Sequence, residues 1–459
     1  MDNTIVALAT SPGEGAIHIV RLSGGLSKKI VERCFRPANQ ERWQANHSFT
    51  LHLGSFYDDE TKLDQVLVGR MKGPYSFTGE DVYEIYCHGG MTSVRRIMEA
   101  CLRHGARLAE PGEFTKRAFL HGKIDLIQAE AVVDLITAKT DLSADLALLQ
   151  LGGGLSSQII DVRSNILDIL AYIEATIDFP EDEIDDLALA DLYDKLVKAK
   201  DKAVDIFKGS KTGKIIREGL STVIAGKPNV GKSSLLNALL KEERAIVTNI
   251  PGTTRDEIHE YVKIGEVLLH LIDTAGLRES QDPVEKIGIE RAWKALNFAD
   301  IILLLLDASA LHSQDLTKEE KLILEDYPDK TIVLINKIDL TSPYDISDTF
   351  FPPDVFVLPF SVQKRIGFAE LEEEILCRVL EGEASVSQQP LLSNIRQISA
   401  LENCIHSLEK AIEAVYANVP FDLVSIDVRM ALEEVSAITG HNVQEDLLSN
   451  IFNRFCIGK

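Results

Sequence analysis

Apolar residues recur along this chain with two different spacings. In the first part of the sequence, short strand-like stretches at residues 17–22, 49–53 and 81–87 alternate with helical stretches such as residues 92–104. From about residue 120 onwards, apolar residues recur every three or four positions, which is the spacing of an amphipathic helix. The pattern predicts an α/β region up to about residue 118, followed by helices.

Two pairs of amphipathic stripes flank the middle of the chain. One pair covers residues 124–135 and 162–177, and the other covers residues 395–415 and 424–438. Because the second pair is too small to bury its own apolar faces, we expect it to pack on the first pair. The residues between the pairs are then an inserted domain, which chains tolerate where the insertion ends lie close together. A separate C-terminal domain is the alternative.

Between the two pairs of stripes, four apolar runs have the composition of strands that are buried on both faces. They are residues 222–225, 267–272, 301–306 and 331–335. Continuous rather than alternating apolar runs are typical of parallel strands. The inserted region is therefore predicted to contain a mainly parallel sheet.

A phosphate-binding pattern follows the first of these runs. Residues 226–233 fit G-x-x-x-x-G-K-[ST], and a helical stretch comes after them. The glycines let backbone N–H groups surround a phosphate, the helix N-terminus adds its dipole, and Lys232 reaches the terminal phosphates. Ser233 is placed to bind Mg²⁺. The residues predicted to contact the phosphates are Asn229, Val230, Gly231, Lys232, Ser233 and Ser234.

Two later segments supply partners for Mg²⁺ and for the γ-phosphate. A threonine hydroxyl after the first helix completes the magnesium shell, and an aspartate after the next strand holds Mg²⁺ through water. The N–H of the glycine three residues later meets the γ-phosphate. The residues assigned to these segments are Thr253, Thr254, Asp273, Thr274, Ala275 and Gly276.

The choice of base is predicted by Asn336, Lys337 and Asp339, which follow the last apolar run. A carboxylate at Asp339 accepts two N–H donors of guanine that adenine lacks, so ATP would leave that carboxylate unpaired. Ser361 is in position to close over the guanine. In register with the phosphate loop, these residues predict GTP as the bound nucleotide.

The hydrolytic machinery differs from that of many small GTPases. Leu277 follows Gly276, at a position where those proteins carry a glutamine that orients water. Asn229 and the carbonyls of residues 248–254 can bind a monovalent cation that does the work of an arginine finger. Alternatively, Asn229 only shapes its loop and the carbonyls are solvated. Residue chemistry alone leaves both alternatives open.

Composition narrows the class of protein. A length of 459 residues predicts two or three domains. Six widely spaced cysteines without a Cys-x-x-Cys pair predict reduced thiols rather than a zinc site or disulfide scaffold. No signal peptide or membrane-spanning run is recognised, which predicts a cytoplasmic protein with no membrane contact. The net charge of −23 argues against a broad RNA-binding surface, so that any RNA contact is local or supplied by a partner.

With these motifs in view, the chain resembles the tRNA-modification GTPase family MnmE, also called TrmE, over essentially its whole length. Outside the nucleotide motifs, the resemblance rests on specific strings. They are residues 4–7, 21–24, 76–81, 87–90, 111–120, 123–126, 128–131 and 455–459.

The resemblance implies a multidomain fold that combines α/β and all-α parts. Residues 1–118 would form an α/β domain that binds folate and dimerises. Residues 119–216 and 381–459 would form one helical domain from two chain segments, the second ending in a Cys-Ile-Gly-Lys tail. Residues 217–380 would form an inserted P-loop GTPase domain of the Ras type.

The resemblance also implies cofactors and partners. The FAD-dependent protein MnmG, or GidA, would join the homodimer in a heterotetramer and hold much of the tRNA. Together they would add an aminomethyl or carboxymethylaminomethyl group to C5 of the wobble uridine. A tetrahydrofolate derivative, 5,10-methylene or 5-formyl, would be bound, and glycine or ammonium would supply the nitrogen.

Several residues take roles only from this resemblance. Glu285 matches the glutamate that orients the hydrolytic water, and Cys456 matches a cysteine required for modification, although a buried structural thiol is the alternative. Ser233 and Thr254 match magnesium positions. The potassium positions are Asn229, Thr248, Ile250 and Thr253. The folate positions are Arg21, Glu80, Lys123 and Lys459.

A ribosome-assembly GTPase that acts as an RNA-binding switch is the competing class. Such proteins share Asn229, the paired threonines and Leu277. They usually carry a basic RNA-binding domain, which this acidic chain lacks, and they are not expected to bind folate.

Overall fold

The protein is described here by a computed structural model. It describes residues 3–45, 47–178, 186–242, 260–272, 293–311, 316–340, 351–380, 390–441 and 445–459. The predicted sites at Thr248, Ile250, Thr253, Thr254, residues 273–276 and Glu285 lie outside these ranges. The chain forms two compact units. The first comprises Met1–Val133, Leu151–Lys200 and Asn403–Lys459, and the second comprises Asp134–Gln150 and Asp201–Glu402.

A seven-stranded sheet dominates the N-terminal part of the first unit, with strand order β3-β4-β5-β6-β2-β1-β7. Neighbouring strands are antiparallel, except that β1 and β7 are parallel. The strands are β1 (Ile5–Leu8), β2 (Ile17–Ser23), β3 (Phe35–Pro37), β4 (Thr50–Asp58), β5 (Thr61–Met71), β6 (Val82–His88) and β7 (Arg107–Leu108). The helices of this part are α1 (Ser27–Cys34), α2 (Gln40–Gln44) and α3 (Met91–Arg103).

The two faces of this sheet differ. One face packs on α1 and α3 through a core that includes Val20, Ile85 and Ile97. On the other face Leu51, Leu53 and Leu67 remain exposed, because strand residues alternate between faces. The strand expected at residues 49–53 extends to Asp58, because its polar second half pairs with β5.

The rest of the first unit is helical. Its helices are α4 (Glu113–Leu120), α7 (Gly154–Asp178), α15 (Phe421–Thr439) and α16 (Glu445–Phe452). Three more helices, α5 (Leu126–Thr137), α8 (Asp186–Lys208) and α14 (Ile395–Tyr416), are divided between the two units, and α6 (Asp141–Leu151) belongs to the second unit except for Leu151. The predicted stripes at 124–135, 162–177, 395–415 and 424–438 are all helical, as expected.

Helices α7 and α15 pack on each other, although more than 240 residues separate them. Their buried faces contribute Ile166 and Ile173 from α7 and Val428 from α15. Arg163 donates to Ser436 at 3.0 Å, and Arg429 pairs with Glu174 at 2.8 Å. A helical domain built from two chain segments is therefore confirmed, and the alternative of a separate C-terminal domain is wrong for α15. The four predicted domain ranges stay predictions.

The second unit contains a six-stranded sheet within the described residues, with order β13-β12-β11-β8-β10-β9. All neighbours are parallel except β9 and β10. The strands are β8 (Leu220–Ala225), β9 (Glu260–Ile264), β10 (Val267–Ile272), β11 (Ile301–Asp307), β12 (Thr331–Asn336) and β13 (Phe356–Pro359). The helices are α9 (Ser210–Glu218), α10 (Lys232–Glu242), α11 (Ala308–Leu311), α12 (Lys318–Asp326) and α13 (Phe368–Leu380). The predicted fold class, α/β parts together with an all-α part and a mainly parallel sheet, is confirmed.

Candidate functional site

The phosphate loop joins β8 to α10 and depends on two glycines with left-handed backbone. Gly226 has φ of 136° and Gly231 has φ of 109°. A Cβ on Gly226 would overlap the carbonyl oxygen of Leu305, and one on Gly231 would overlap Nδ2 of Asn336. Only glycine fits both the conformation and the close approach, so these positions are fixed by backbone sterics.

The lysine of this loop lies over the loop itself. Nζ of Lys232 donates to the carbonyl oxygens of Gly226 at 2.6 Å and Lys227 at 2.8 Å. Ser233 and Ser234 are exposed in the first turn of α10, whereas Val230 is buried. The loop therefore presents a cation, two hydroxyls and a helix N-terminus together, which suits an anionic phosphate.

The second loop of the site follows β12 and is locked to the first. Nδ2 of Asn336 donates to the carbonyl oxygen of Val230 at 2.7 Å, and its Oδ1 accepts from the N–H of Val362 at 3.1 Å. Nζ of Lys337 donates to the carbonyl oxygen of Asn229 at 2.8 Å. These bonds connect the base-reading loop directly to the backbone of the phosphate loop.

Lys337 is held in an unusual conformation. Its φ is 68°, in the left-handed region that costs a lysine free energy. Its ammonium pairs with Asp307, the last residue of β11, at 2.6 Å. Burial alone would raise the pKa of Asp307, but hydrogen bonds from Lys337 and Ser309 outweigh burial and lower it. The contacts of Lys337 with Asp307 and with the phosphate loop hold this strained residue in place.

The base-reading carboxylate has a defined orientation. Oγ of Ser361 donates to Oδ1 of Asp339 at 2.6 Å and also accepts from the N–H of Lys364. Asp339 follows β12, and Ser361 follows β13 on the neighbouring parallel strand. A carboxylate fixed in this way offers its other oxygen to paired N–H donors such as those of guanine.

A second polar cluster lies around Arg21 of β2, on the face of the N-terminal sheet opposite α1 and α3. The Arg21 guanidinium binds Oε1 of Glu84 through Nε and Nη2, both at 2.8 Å. Its Nη1 donates to the carbonyl oxygen of Gly458 at 3.2 Å. Burial first, and then the hydrogen bond to Glu84, raise the pKa of the Tyr86 hydroxyl to about 12. Arg21 thus joins the sheet to the end of the chain.

The residues at 456–459 dock against the start of α4. The N–H of Phe114 donates to the oxygen of Lys459 at 3.2 Å, and the N–H of Gly112 donates to that of Cys456 at 3.5 Å. Gly458 is buried with φ of 96°, and a Cβ there would overlap the carbonyl oxygen of Leu8. The thiol-bearing residue Cys456 is exposed, so the alternative of a buried structural thiol is wrong.

Glu80 lies beside Arg21 through Ser23, which is on the same face of β2. Oγ of Ser23 donates to Oε2 of Glu80 at 2.7 Å. Nη1 of Arg117 lies 3.1 Å from Oε1 and 2.9 Å from Oε2 of the same carboxylate. Lys123 donates to the carbonyl oxygen of Pro74, in the loop that leads to Glu80. The four predicted folate positions therefore lie on adjoining segments of the first unit.

Sequence reasoning missed the partners of these residues. Glu84 comes opposite Arg21, and Tyr86 comes opposite Ile19, through the β2–β6 register, which the sequence does not reveal. Glu113 and Arg117 are four residues apart and pair within α4, but the sequence analysis predicted no helix there, so this spacing gave no signal. Within the described residues, no group of three or more His, Cys, Asp or Glu is arranged to hold a metal ion. No helix among them is both long and apolar enough to cross a membrane.

Comparison with known proteins gives matches over the whole chain. A model of the MnmE helical domain matches residues 126–456, and a model of the GTP-binding protein TrmE N-terminus matches residues 4–123. The tRNA modification GTPase MnmE of Desulfitobacterium hafniense (strain Y51) is 56% identical over 100% of both chains. That of Alkaliphilus oremlandii (strain OhILAs) is 45% identical over 100% of both chains. A solved structure of Era with MgGDPNP and 16S ribosomal RNA is 28% identical over 40% of this chain and 65% of that chain, with a TM-score of only 0.28.

Proposed function

The chain belongs to the MnmE family of tRNA modification GTPases, and from this premise we propose a specific reaction for it. It hydrolyses GTP in a potassium-dependent manner. Together with an FAD-dependent partner of the MnmG type, it adds an aminomethyl or carboxymethylaminomethyl group to C5 of the tRNA wobble uridine, using a folate one-carbon unit.

Membership of the family makes the chain a GTP hydrolase, as the sequence motifs predict. The observation that carries this part of the function is the locked pair of loops. Asn336 and Lys337 bind the backbone of Val230 and Asn229, so the base-reading carboxylate of Asp339 stands at a fixed distance from the phosphate loop. Such preorganisation suits phosphoryl transfer, in which catalysis consists mainly of positioning and charge stabilisation.

The described residues fit the two proposed cations. Ser233 offers an exposed hydroxyl in the first turn of α10, and Asn229 is exposed with its amide in the left-handed part of the loop. Both supply oxygen atoms, which hard cations prefer. Ser233 would hold Mg²⁺ with Thr254, and Asn229 would hold K⁺ with Thr248, Ile250 and Thr253. Held by these residues, the two cations would supply positive charge beside the phosphates, and Glu285 would orient the attacking water.

The folate proposal is supported by the polar cluster of the first unit. Arg21 and Lys459 supply cations that suit the glutamate tail of a folate, and Glu80 supplies a carboxylate that suits the N–H donors of a pterin. The docked tail carries the exposed residue Cys456 two positions before Gly458, whose carbonyl oxygen accepts from Arg21. Binding of a tetrahydrofolate derivative at this cluster would supply the one-carbon unit.

The proposed partners follow from surface properties and from the family. Exposed Leu51, Leu53 and Leu67 form an apolar patch on one sheet face, which supports a homodimer. The net charge of −23 supports a division in which the MnmG partner holds most of the tRNA. A tRNA substrate implies a cytoplasmic location.

Reconstitution tests the whole proposal. The purified chain is mixed with an FAD-dependent MnmG-type partner, tRNA, methylenetetrahydrofolate, GTP and glycine or ammonium, and tRNA nucleosides are profiled. We expect the modified uridine only when GTP, folate and K⁺ are all present. Equal GTP turnover in Na⁺ and K⁺ would contradict the proposed potassium dependence. Asn229→Ala should abolish the difference in GTP turnover between the two salts.

The same assay distinguishes the proposed function from that of a ribosome-assembly GTPase. A ribosome-assembly GTPase would hydrolyse GTP without binding folate and without changing the nucleoside profile. Removal of residues 456–459 is the matched comparison, because those residues accept hydrogen bonds from Gly112, Phe114 and Arg21, which all belong to the first unit. That truncation should spare GTP turnover and abolish tRNA modification.

A further inference from the structure

Arg117 has one of the most deeply buried charged side chains described in this protein. Its side chain is only 1% exposed, and it lies on α4, which no nucleotide motif includes. Nη2 donates to the carbonyl oxygen of Asn3 at 2.8 Å and to Oε1 of Glu113 at 2.9 Å, while Nη1 spans both carboxylate oxygens of Glu80. One guanidinium therefore holds two carboxylates and the first described residue of the chain.

Stability alone is a poor reason to keep this arrangement. Removing two charges from water costs free energy that a buried ion pair often fails to recover, and apolar residues of similar volume are frequently as stable. Nε of Arg117 is buried and has no hydrogen-bond partner among the described residues, which adds a further cost. A costly buried cation indicates a task beyond packing.

The second carboxylate shows how Arg117 is itself held in place. Glu113 binds Arg107 at 2.5 Å and accepts from the N–H of Glu110 at 2.9 Å. Burial would raise the pKa of Glu113, but the hydrogen bonds from Arg107, Glu110 and Arg117 outweigh burial and lower it to about 2. Glu113 is thus an anion near neutral pH, and it holds the inner edge of the Arg117 guanidinium.

The outer edge of the guanidinium then fixes Glu80. With Arg117 on one side and Ser23 on Oε2, the carboxylate cannot rotate freely, and Oε1 accepts only from Arg117 among the described residues. Each carboxylate oxygen can accept two hydrogen bonds, so Oε1 has capacity for one more donor. Glu80 remains 15% exposed, which gives a ligand access to it.

We propose that Arg117 is a positioning residue that orients the Glu80 carboxylate toward the N–H donors of a bound pterin. This inference rests on the proposed folate function of the same cluster. Arg117 itself does not touch the ligand, because Glu80 stands between them. It acts by presenting one fixed acceptor edge, which lowers the entropic cost of binding.

Affinity for 5-formyltetrahydrofolate, measured by titration calorimetry on the full chain, tests this inference. Arg117→Met should weaken binding by about tenfold or more, because the Glu80 carboxylate loses its fixed orientation. Arg117→Lys should restore part of the affinity, since it keeps a cation beside Glu80 without the spanning geometry. Arg70→Met is the matched control: Arg70 is 2% exposed, packs over Trp43 at 3.9 Å and lies on the other face of the sheet. It should lower thermal stability without weakening folate binding.

A double-mutant cycle separates positioning from general destabilisation. Glu80→Gln and Arg117→Met should each weaken binding, and the double variant should be no weaker than Glu80→Gln alone if Arg117 acts through Glu80. Additive losses would overturn the inference. If Arg117→Met does not fold, the folate affinities of Arg117→Lys and Arg70→Met are compared instead. Equal folate affinity in these two variants would overturn the inference. Absence of folate binding by the unmodified chain would overturn the folate proposal and this inference together, whereas normal binding by Arg117→Met would overturn the inference alone.

Discussion

The two polar sites of this protein are built on opposite principles. The nucleotide site takes its shape from the backbone. Two glycines adopt left-handed conformations, and the side chains of Asn336 and Lys337 donate hydrogen bonds to carbonyl oxygens of the phosphate loop. The cluster of the first unit takes its shape from side-chain ion pairs between segments far apart in sequence. Arg21 meets Glu84 across 63 positions and Gly458 across 437. The first kind of site can be predicted from short contiguous sequence motifs, and the second kind cannot.

A glycine in each site allows a direct comparison, because a Cβ at either position would overlap a neighbouring atom. The larger of these two glycine effects is expected at Gly231. Gly231→Ala adds a methyl group against Nδ2 of Asn336 and strains a backbone with φ of 109°. Strain of this kind costs about 1–3 kcal/mol before the overlap is counted, so GTP affinity should fall on the order of 100-fold. Fluorescent GTP-analogue titration measures it, with folate affinity as the internal control. A loss of both affinities would mean that the two sites are not independent.

The ion pairs of the first unit predict that stability depends on pH through Glu113. The pKa of Glu113 is lowered from 4.5 to about 2, so its contribution to stability is present above pH 4.5 and is lost as pH falls toward 2. A shift of this size corresponds to about 3 kcal/mol. Glu113→Gln should remove roughly that amount at pH 7 and flatten the acid dependence. Denaturant unfolding followed by Trp43 fluorescence, in a Trp293→Phe background, measures it. An unchanged slope between pH 4.5 and 2 would contradict the assignment.

The smallest effect is expected at the glycine of the tail. Gly458→Ala pushes a methyl group into the carbonyl oxygen of Leu8 at φ of 96°. Since the tail follows α16 without a further helix, it can swing away and relieve the overlap, so the fold survives. Affinity for 5-formyltetrahydrofolate should fall about tenfold while GTP turnover stays unchanged. Unaltered folate affinity would show that tail docking does not contribute to this site.

The same contrast explains what the sequence could predict. The residues at 229–234 and 336–339 could be predicted because they belong to motifs whose function depends on local backbone conformation. The neighbouring strands could be predicted from their apolar runs. The left-handed backbone of Lys337 and its pairing with Asp307 are tertiary facts that no local pattern encodes. The roles of Arg21 and Glu80 could be predicted only from the family resemblance. Their partners Glu84 and Arg117 required the strand register and the position of α4, which are set by packing across the unit.

The bond between Arg21 and Gly458 has a consequence for synthesis in the cell. At about 5–20 residues per second, a ribosome takes roughly 20–90 s to move from one partner to the other, a separation of 437 positions. The N-terminal sheet therefore emerges and folds while the face around Arg21 is still incomplete. Nascent chains and prematurely terminated ones alike have the sheet without the tail. Only a chain translated through residue 458 carries the finished cluster, so this site first exists after residue 458 has left the ribosome.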